Sequence, residues 1–142
     1  MEINRKGSAS WSGGLKDGKG SLSTESGALS NHPYGFAMRF EGVRGSNPEE
    51  LIGAAHAGCF TMALSNVLGK ADLTATRMDT TATVTLEQQG GGFTISAVHL
   101  ELRAEVPGTD QKQFAELADS AKQNCPVSKL LNATITLDAK LV

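Results

Sequence analysis

Cys59 and Cys125 are the only two cysteines of the 142-residue chain, and both stand where sulfur chemistry is feasible. The first lies in Leu51-Ile52-Gly53-Ala54-Ala55-His56-Ala57-Gly58-Cys59-Phe60, an apolar run that reads as a buried helix. The second lies in Asn124-Cys125-Pro126-Val127-Ser128. A proline there suits the first position of a new helical turn and leaves Cys125 at the cap, near the positive end of the dipole. A lone thiol can be oxidised, but a second thiol in reach makes the oxidation reversible, because the sulfenic acid condenses to a disulfide. Ionisation alone explains little. A thiol of pKa about 8.5 is a few per cent thiolate at neutral pH, so full ionisation gains about thirtyfold. Larger acceleration needs positioned charge on the departing oxygen.

Cys59 lies about three turns beyond Pro48, out of reach of its own helix N-terminus, and burial alone raises a thiol's pKa. A cation must come from elsewhere, and Arg39 in Phe36-Ala37-Met38-Arg39-Phe40-Glu41 is the candidate. Read as a strand, residues 36–41 place Phe36, Met38 and Phe40 on one face and Ala37, Arg39 and Glu41 on the other. An arginine fixed there can hold a thiolate and polarise an approaching oxygen, and Glu49 can orient it through a bidentate pair. The four phenylalanine and methionine side chains Phe36, Met38, Phe40 and Phe60 are candidates for an apolar substrate route.

Each of these residues also has a plainer reading. A buried cysteine is most often core packing, Arg39 alone is a surface arginine, and Glu49 and Glu50 are first-turn acids favoured by the dipole. A Cys59–Cys125 bridge of purely structural purpose would contribute about 4 kcal/mol for a loop of this length. His56 reads as a histidine bonded inside the helix packing and not as a base. A metal site from His56, Cys59 and Cys125 lacks a fourth ligand, and His32 and His99 have no constellation around them. Gly18, Gly20 and the triplet Gly90-Gly91-Gly92 are turns without a phosphate-loop context.

The elements that must position these groups are marked in the sequence. Asn47 caps the central helix, Pro48 opens it, Glu50 stands at the capping-box position and Gly69 offers a stop. Small or apolar residues nearly all round predict a helix covered on most sides, with Gly53, Ala54, Ala57 and Gly58 allowing close approach. A second helix is expected over 111–123, capped by Thr109 or Asp110, with Phe114, Leu117, Ala118 and Ala121 inward. Alternation predicts strands over 3–11, 36–41, 81–86, 93–106 and 134–141, with a bulge near Ala97 and a hairpin turn at Gly90-Gly91-Gly92. Pro33-Tyr34-Gly35 is expected to break the chain. The whole of 1–142 reads as a single α+β domain.

Composition removes several function classes. A net charge of −2, with lysine and arginine scattered, argues against nucleic acid as a partner. Residues 51–68 are uncharged but rich in alanine and glycine, and lack the aromatic belt of a spanning helix, so no membrane role is expected. The first residues are polar without an apolar signal core, and two cysteines suit a reducing compartment; the cytoplasm is the expected location.

The phrases Asn47-Pro48-Glu49-Glu50-Leu51, Ala54-Ala55-His56-Ala57-Gly58-Cys59-Phe60 and Cys125-Pro126-Val127-Ser128 resemble those of the osmotically inducible protein C (OsmC) family. Its sibling is the organic hydroperoxide resistance (Ohr) family. Trp11, Lys19-Gly20, Ser23-Thr24-Glu25-Ser26-Gly27 and Pro33-Tyr34-Gly35-Phe36 extend the likeness over almost the whole chain. The Ser23–Gly27 segment and the position of Arg39 favour the first branch.

The resemblance implies a thiol peroxidase that reduces organic hydroperoxides and, more weakly, hydrogen peroxide. By likeness Cys59 is the peroxidatic residue, Cys125 the resolving one, Arg39 the thiolate-stabilising arginine and Glu49 its partner. It implies an intertwined homodimer with antiparallel-rich sheets from both chains around central helices. No metal or bound cofactor is implied, and the reductant is an external dithiol of the lipoyl type or a lipoylated protein. Gly58 stands where alanine is expected and Asn124 where a small residue is expected; neither removes a functional group. The reading from another class is a non-catalytic thiol redox sensor or a small-ligand-binding stress protein.

Overall fold

A computed structural model describes all 142 residues, in two compact units, Met1–Leu51 and Ile52–Val142. In the first unit, β1 (Gly7–Ser12), β2 (Lys19–Thr24) and β3 (His32–Tyr34) form an antiparallel sheet in that order. The first strand starts at Gly7, opposite Thr24, and not at residue 3. Pro33 sits on an edge strand, where a missing N–H is tolerated, so the expected break is instead β3. Gly20 pairs with both Trp11 and Tyr34, whose rings are 5.4 Å apart. A Cβ on Gly20 would run into both rings, so only glycine lets them close over β2.

Residues 36–41 overturn a sequence expectation. They are not a strand: Phe36–Phe40 is a short helix, α1, held by Arg39 N–H donating to Gly35 O at 3.1 Å and Glu41 N–H donating to Ala37 O at 3.0 Å. Six residues of alternating type fit either period, and the i,i+4 stacking of Phe36 on Phe40, at 5.0 Å between centroids, favours the helical one.

The long helix α2 (Pro48–Lys70) begins as expected, with the Asn47 side chain accepting from Glu50 N–H at 2.8 Å. It passes Gly69 and ends one residue later. Leu73 N–H donates to Leu68 O at 2.9 Å and Asp72 N–H to Gly69 O at 3.1 Å, with Asp72 at φ 56° as the left-handed residue. By length and composition alone α2 could cross a bilayer. Its buried residues Gly53, His56, Phe60, Leu64 and Leu68 step by three and four along one side, the stripe of a helix packed on a core. Ala54, Ala55, Gly58, Met62 and Ser65 are exposed on this single chain, so α2 is covered on one side and not on most sides as expected.

The second unit adds β4 (Arg77–Gln89), β5 (Gly92–Glu105), α3 (Gln111–Asn124), α4 (Pro126–Leu130) and β6 (Thr134–Leu141). β5 is central, antiparallel to β4 and parallel to β6, so α3 and α4 form the crossover that a parallel pair requires. Gly90 and Gly91, at φ 55° and 84°, make the two-residue hairpin turn. Thr85 pairs with Ala97 but Leu86 with Ile95, which leaves Ser96 as the bulged residue beside the expected Ala97. One sheet face carries Val98, Leu100, Leu102 and Ala104 into a core shared with Phe60, Leu64, Phe114 and Ala118. Asp110 caps α3 by accepting from Gln113 N–H at 2.8 Å. Gly53 lets α2 approach β4, since a Cβ there would stand 3.2 Å from Ala82 O. The result is an α+β fold of one antiparallel and one mixed sheet with helices.

Candidate functional site

Helix α2 and the corner between α3 and α4 carry the two sulfurs together. Cys59 Sγ and Cys125 Sγ are 3.0 Å apart although 66 residues separate them, and both cysteines are free. Cys59 is half-buried, whereas Cys125 is fully buried. Cys125 ends α3, its N–H donating to Ala121 O at 2.9 Å, and then starts α4 with Pro126 in the first helical position. That double placement holds its side chain inward against α2. Cys59 opens onto a groove of about 710 Å³, whose apolar wall includes Met62, Ala63 and Val67 of α2 and Leu117 of α3.

The two thiols respond differently to their surroundings. Burial pushes Cys59 up, the contact with Cys125 adds to the rise, and the Val127 N–H opposes it; the net direction is upward. Burial also pushes Cys125 up, but the contact with Cys59, the N–H and hydroxyl of Ser128 and the N–H of Val127 outweigh it. These groups act on the sulfur without a regular capping hydrogen bond. The Val127 N–H acts on both sulfurs, whereas Ser128 acts on Cys125 alone.

In the first unit Arg39 and Glu49 are brought together. Arg39 Nη2 donates to Glu49 Oε1 at 2.6 Å and Nε to the same oxygen at 3.0 Å, with the guanidinium 5.3 Å from the Phe40 ring centroid. The arginine side chain is 36% exposed and the glutamate 12%, so the pair is fixed yet accessible. Beside it, Trp11, Leu15, Tyr34, Phe36 and Phe40 wall a small cavity of about 180 Å³. The four apolar side chains expected to line one route are dispersed. Phe36 and Phe40 share a side of α1, Met38 lies against Gly45 in another cavity, and Phe60 is fully buried in the core. The helical period of α1 separates residue 38 from 36 and 40, where a strand would have grouped all three.

Sequence reasoning missed the meeting of two aromatic rings and the partner of His56, whose burial and bonding it did expect. Trp11 and Tyr34 were visible only as likeness to other chains, because their meeting depends on strand register. His56 is fully buried, and its Nε2 lies 2.8 Å from Ser128 Oγ on α4, a partner 72 residues away that no local spacing reveals. Burial lowers the pKa of His56. No group of three or more His, Cys, Asp or Glu side chains is arranged to hold a metal ion.

The fold has parallels among known proteins. The family described as OsmC-like protein matches residues 41–140. The chain is 54% identical over 141 residues to Peroxiredoxin OsmC of Escherichia coli, covering 99% of each. It is 34% identical over 101 residues to the organic hydroperoxide resistance protein of Xanthomonas axonopodis pv. citri, covering 70% of this chain and 69% of the other. The crystal structure of the organic hydroperoxide resistance protein OhrB of Bacillus subtilis shares the fold, with a TM-score of 0.70 at 24% identity over 99% of this chain and 98% of that one. The family match and the end-to-end identity agree with the architecture, and the chain belongs to the OsmC-like family.

Proposed function

We propose that this chain is a thiol peroxidase that reduces organic hydroperoxides, working as a single OsmC-like domain in the cytoplasm. The observation that carries the reading is the 3.0 Å contact between Cys59 and Cys125. The Cys59 thiolate attacks the terminal peroxide oxygen, the O–O bond breaks and an alcohol leaves after taking up a proton. The Cys125 thiolate then attacks the Cys59 sulfenic sulfur, an S–S bond forms, and hydroxide leaves as water. An external dithiol, of the lipoyl type, exchanges through a mixed disulfide, becomes oxidised and returns two reduced cysteines.

Cys59 is assigned the attacking role because it faces the groove while Cys125 is buried. Its upward-pushed thiol then needs a cation, and we assign that role to Arg39, which Glu49 holds in a fixed orientation. The apolar groove favours alkyl peroxides, so catalytic efficiency on a bulky alkyl hydroperoxide exceeds that on hydrogen peroxide. Equal values would refute this preference.

The functional unit is a homodimer in this reading. The exposed face of α2, with Met62 77% exposed, and the exposed Phe93 near the β4–β5 hairpin tip leave apolar surface for a second copy to cover. Light scattering on the purified protein gives twice the chain mass if this is right.

Steady-state peroxide consumption with dihydrolipoamide decides the activity. Many turnovers by the wild type, lost in Cys59→Ser, support the peroxidase; a single equivalent consumed identifies a redox sensor instead.

A further inference from the structure

Two polar contacts join α2 to the corner that carries Cys125. Cys125 Sγ meets Cys59 Sγ at 3.0 Å, and Ser128 Oγ meets His56 Nε2 at 2.8 Å. On α2 the two residues stand three apart, on one face and about one turn from each other. On α4 they are the cap and the third helical residue. The peroxidase cycle gives the second contact no role. His56 is fully covered, and its Nδ1 has no hydrogen-bond partner. Burying a ring with one nitrogen unpaired is unfavourable, and an apolar side chain would fill that place at lower cost. The bond to Ser128 is what the ring does there that an apolar side chain could not.

A short helix tied at one point can pivot, and a second point fixes its rotation. No other group of α4 supplies that second point. The backbone bonds of the corner, Cys125 N–H to Ala121 O and Lys129 N–H to Cys125 O, run along the helices themselves. Val127 and Leu131 pack at the margin of the core, and apolar contacts carry no direction. Ser128 makes the only side-chain hydrogen bond from Pro126–Leu130 to α2.

We propose that His56 and Ser128 are a positioning pair for the resolving step, holding the α3–α4 corner so that Cys125 Sγ points at Cys59 Sγ. The proposal rests on the peroxidase reading and gives a role to two residues that the reading leaves idle. In that step the Cys125 thiolate attacks the Cys59 sulfenic sulfur. The S–S bond forms as the S–O bond breaks, and the departing hydroxide takes up a proton to become water. Attack requires the nucleophile in line with the departing oxygen, so a small rotation of the corner costs rate even with the sulfurs in contact. Neither residue lines the groove onto which Cys59 opens, so attack on peroxide does not depend on them.

The test separates the two steps. After a stoichiometric pulse of tert-butyl hydroperoxide, peroxide loss in rapid-quench samples reports attack by Cys59. Disappearance of dimedone-trappable sulfenic acid reports closure. His56→Leu and Ser128→Ala slow closure on the order of tenfold, the factor of one lost hydrogen bond, and leave the rate of peroxide loss near that of the wild type. Ser128→Thr and His56→Gln keep a polar partner and restore closure. Equilibration with reduced and oxidised glutathione gives a readout without peroxide. There the unpaired variants form the Cys59–Cys125 disulfide about tenfold less favourably, a shift of about 30 mV. Circular dichroism checks folding, and should His56→Leu not fold, Ser128→Ala decides alone. Closure and equilibrium like those of the wild type would overturn the proposal. So would slowing of both steps alike, or slowing that neither conservative variant restores. A wild type that consumes no peroxide would instead remove the peroxidase reading, and the glutathione equilibrium would still judge the pair.

Discussion

Cys59 and Cys125 touch at 3.0 Å from opposite sides of the protein boundary, one open to the groove and the other with no exposed surface. Contact at that distance between free thiols means that bond closure needs about an ångström of approach and no rearrangement of the sheet. The asymmetry also separates the two chemically. A bulky maleimide labels Cys59 in the folded protein and reaches Cys125 only after denaturation, as peptide mass spectrometry would reveal. Labelling of both at equal rates would contradict the burial described here.

Replacing either sulfur has distinct outcomes. Cys59→Ser reduces dithiol-dependent peroxide consumption on the order of a thousandfold or more, since it removes the proposed nucleophile. Cys125→Ser still reacts once with peroxide and then stalls as a sulfenic acid, which dimedone traps. A stopped-flow burst without steady turnover is the expected trace.

Arg39→Ala lowers kcat/KM on the order of a hundredfold if the guanidinium stabilises the transition state. Glu49→Gln has a smaller effect in the same direction, because it loosens the bidentate pair without removing the cation. Both leave stability nearly intact, changing it by less than about 1 kcal/mol, as expected of an ion pair that retains solvent access. Urea denaturation of the same preparations separates the two effects.

Acid should weaken the fold through His56. Burial holds its folded pKa below the ordinary value of 6.5, so the unfolded chain binds the proton more readily. The stability gained by keeping the ring neutral is complete above that ordinary value and is lost as pH falls from there toward the folded value. Urea midpoints between about pH 7.5 and about pH 5 therefore fall more steeply in the wild type than in His56→Gln, which has no titrating ring. Parallel profiles would show that another group governs the acid limb.

Leu100 lies at the centre of the middle strand and has no exposed surface. Leu100→Ala should cost about 2–5 kcal/mol of unfolding free energy, the range for a leucine truncated in a close-packed core. A cost below 1 kcal/mol, measured by chemical denaturation, would mean that the surroundings collapse into the space, roughly the behaviour of a peripheral site.

Much of the second unit is legible from local pattern. The strand Thr134–Leu141 shows an unbroken period of two, and the parity switch between Ile95 and Val98 marks the bulge that Ser96 occupies. Caps at Asn47 and Asp110 follow from residue type. Less could be read where tertiary contacts decide. Residues 36–41 suit either period, and α1 emerges because two phenylalanines stack a turn apart. The end of α2 is set by Asp72 accepting a left-handed backbone, not by the glycine three residues earlier. In the candidate site the contact between sulfurs and the His56–Ser128 bond join residues 66 and 72 positions apart, a distance in sequence over which spacing carries no information.

The turn at Cys125 is also a mechanical joint. One helix of fourteen residues finishes there, and a helix of only five begins, with a proline that cannot rejoin the preceding ladder. The corner belongs to the helices alone, and no strand of the sheet ends at it. The sulfur that this joint carries is therefore set by two short helical ends and not by the register of the sheet.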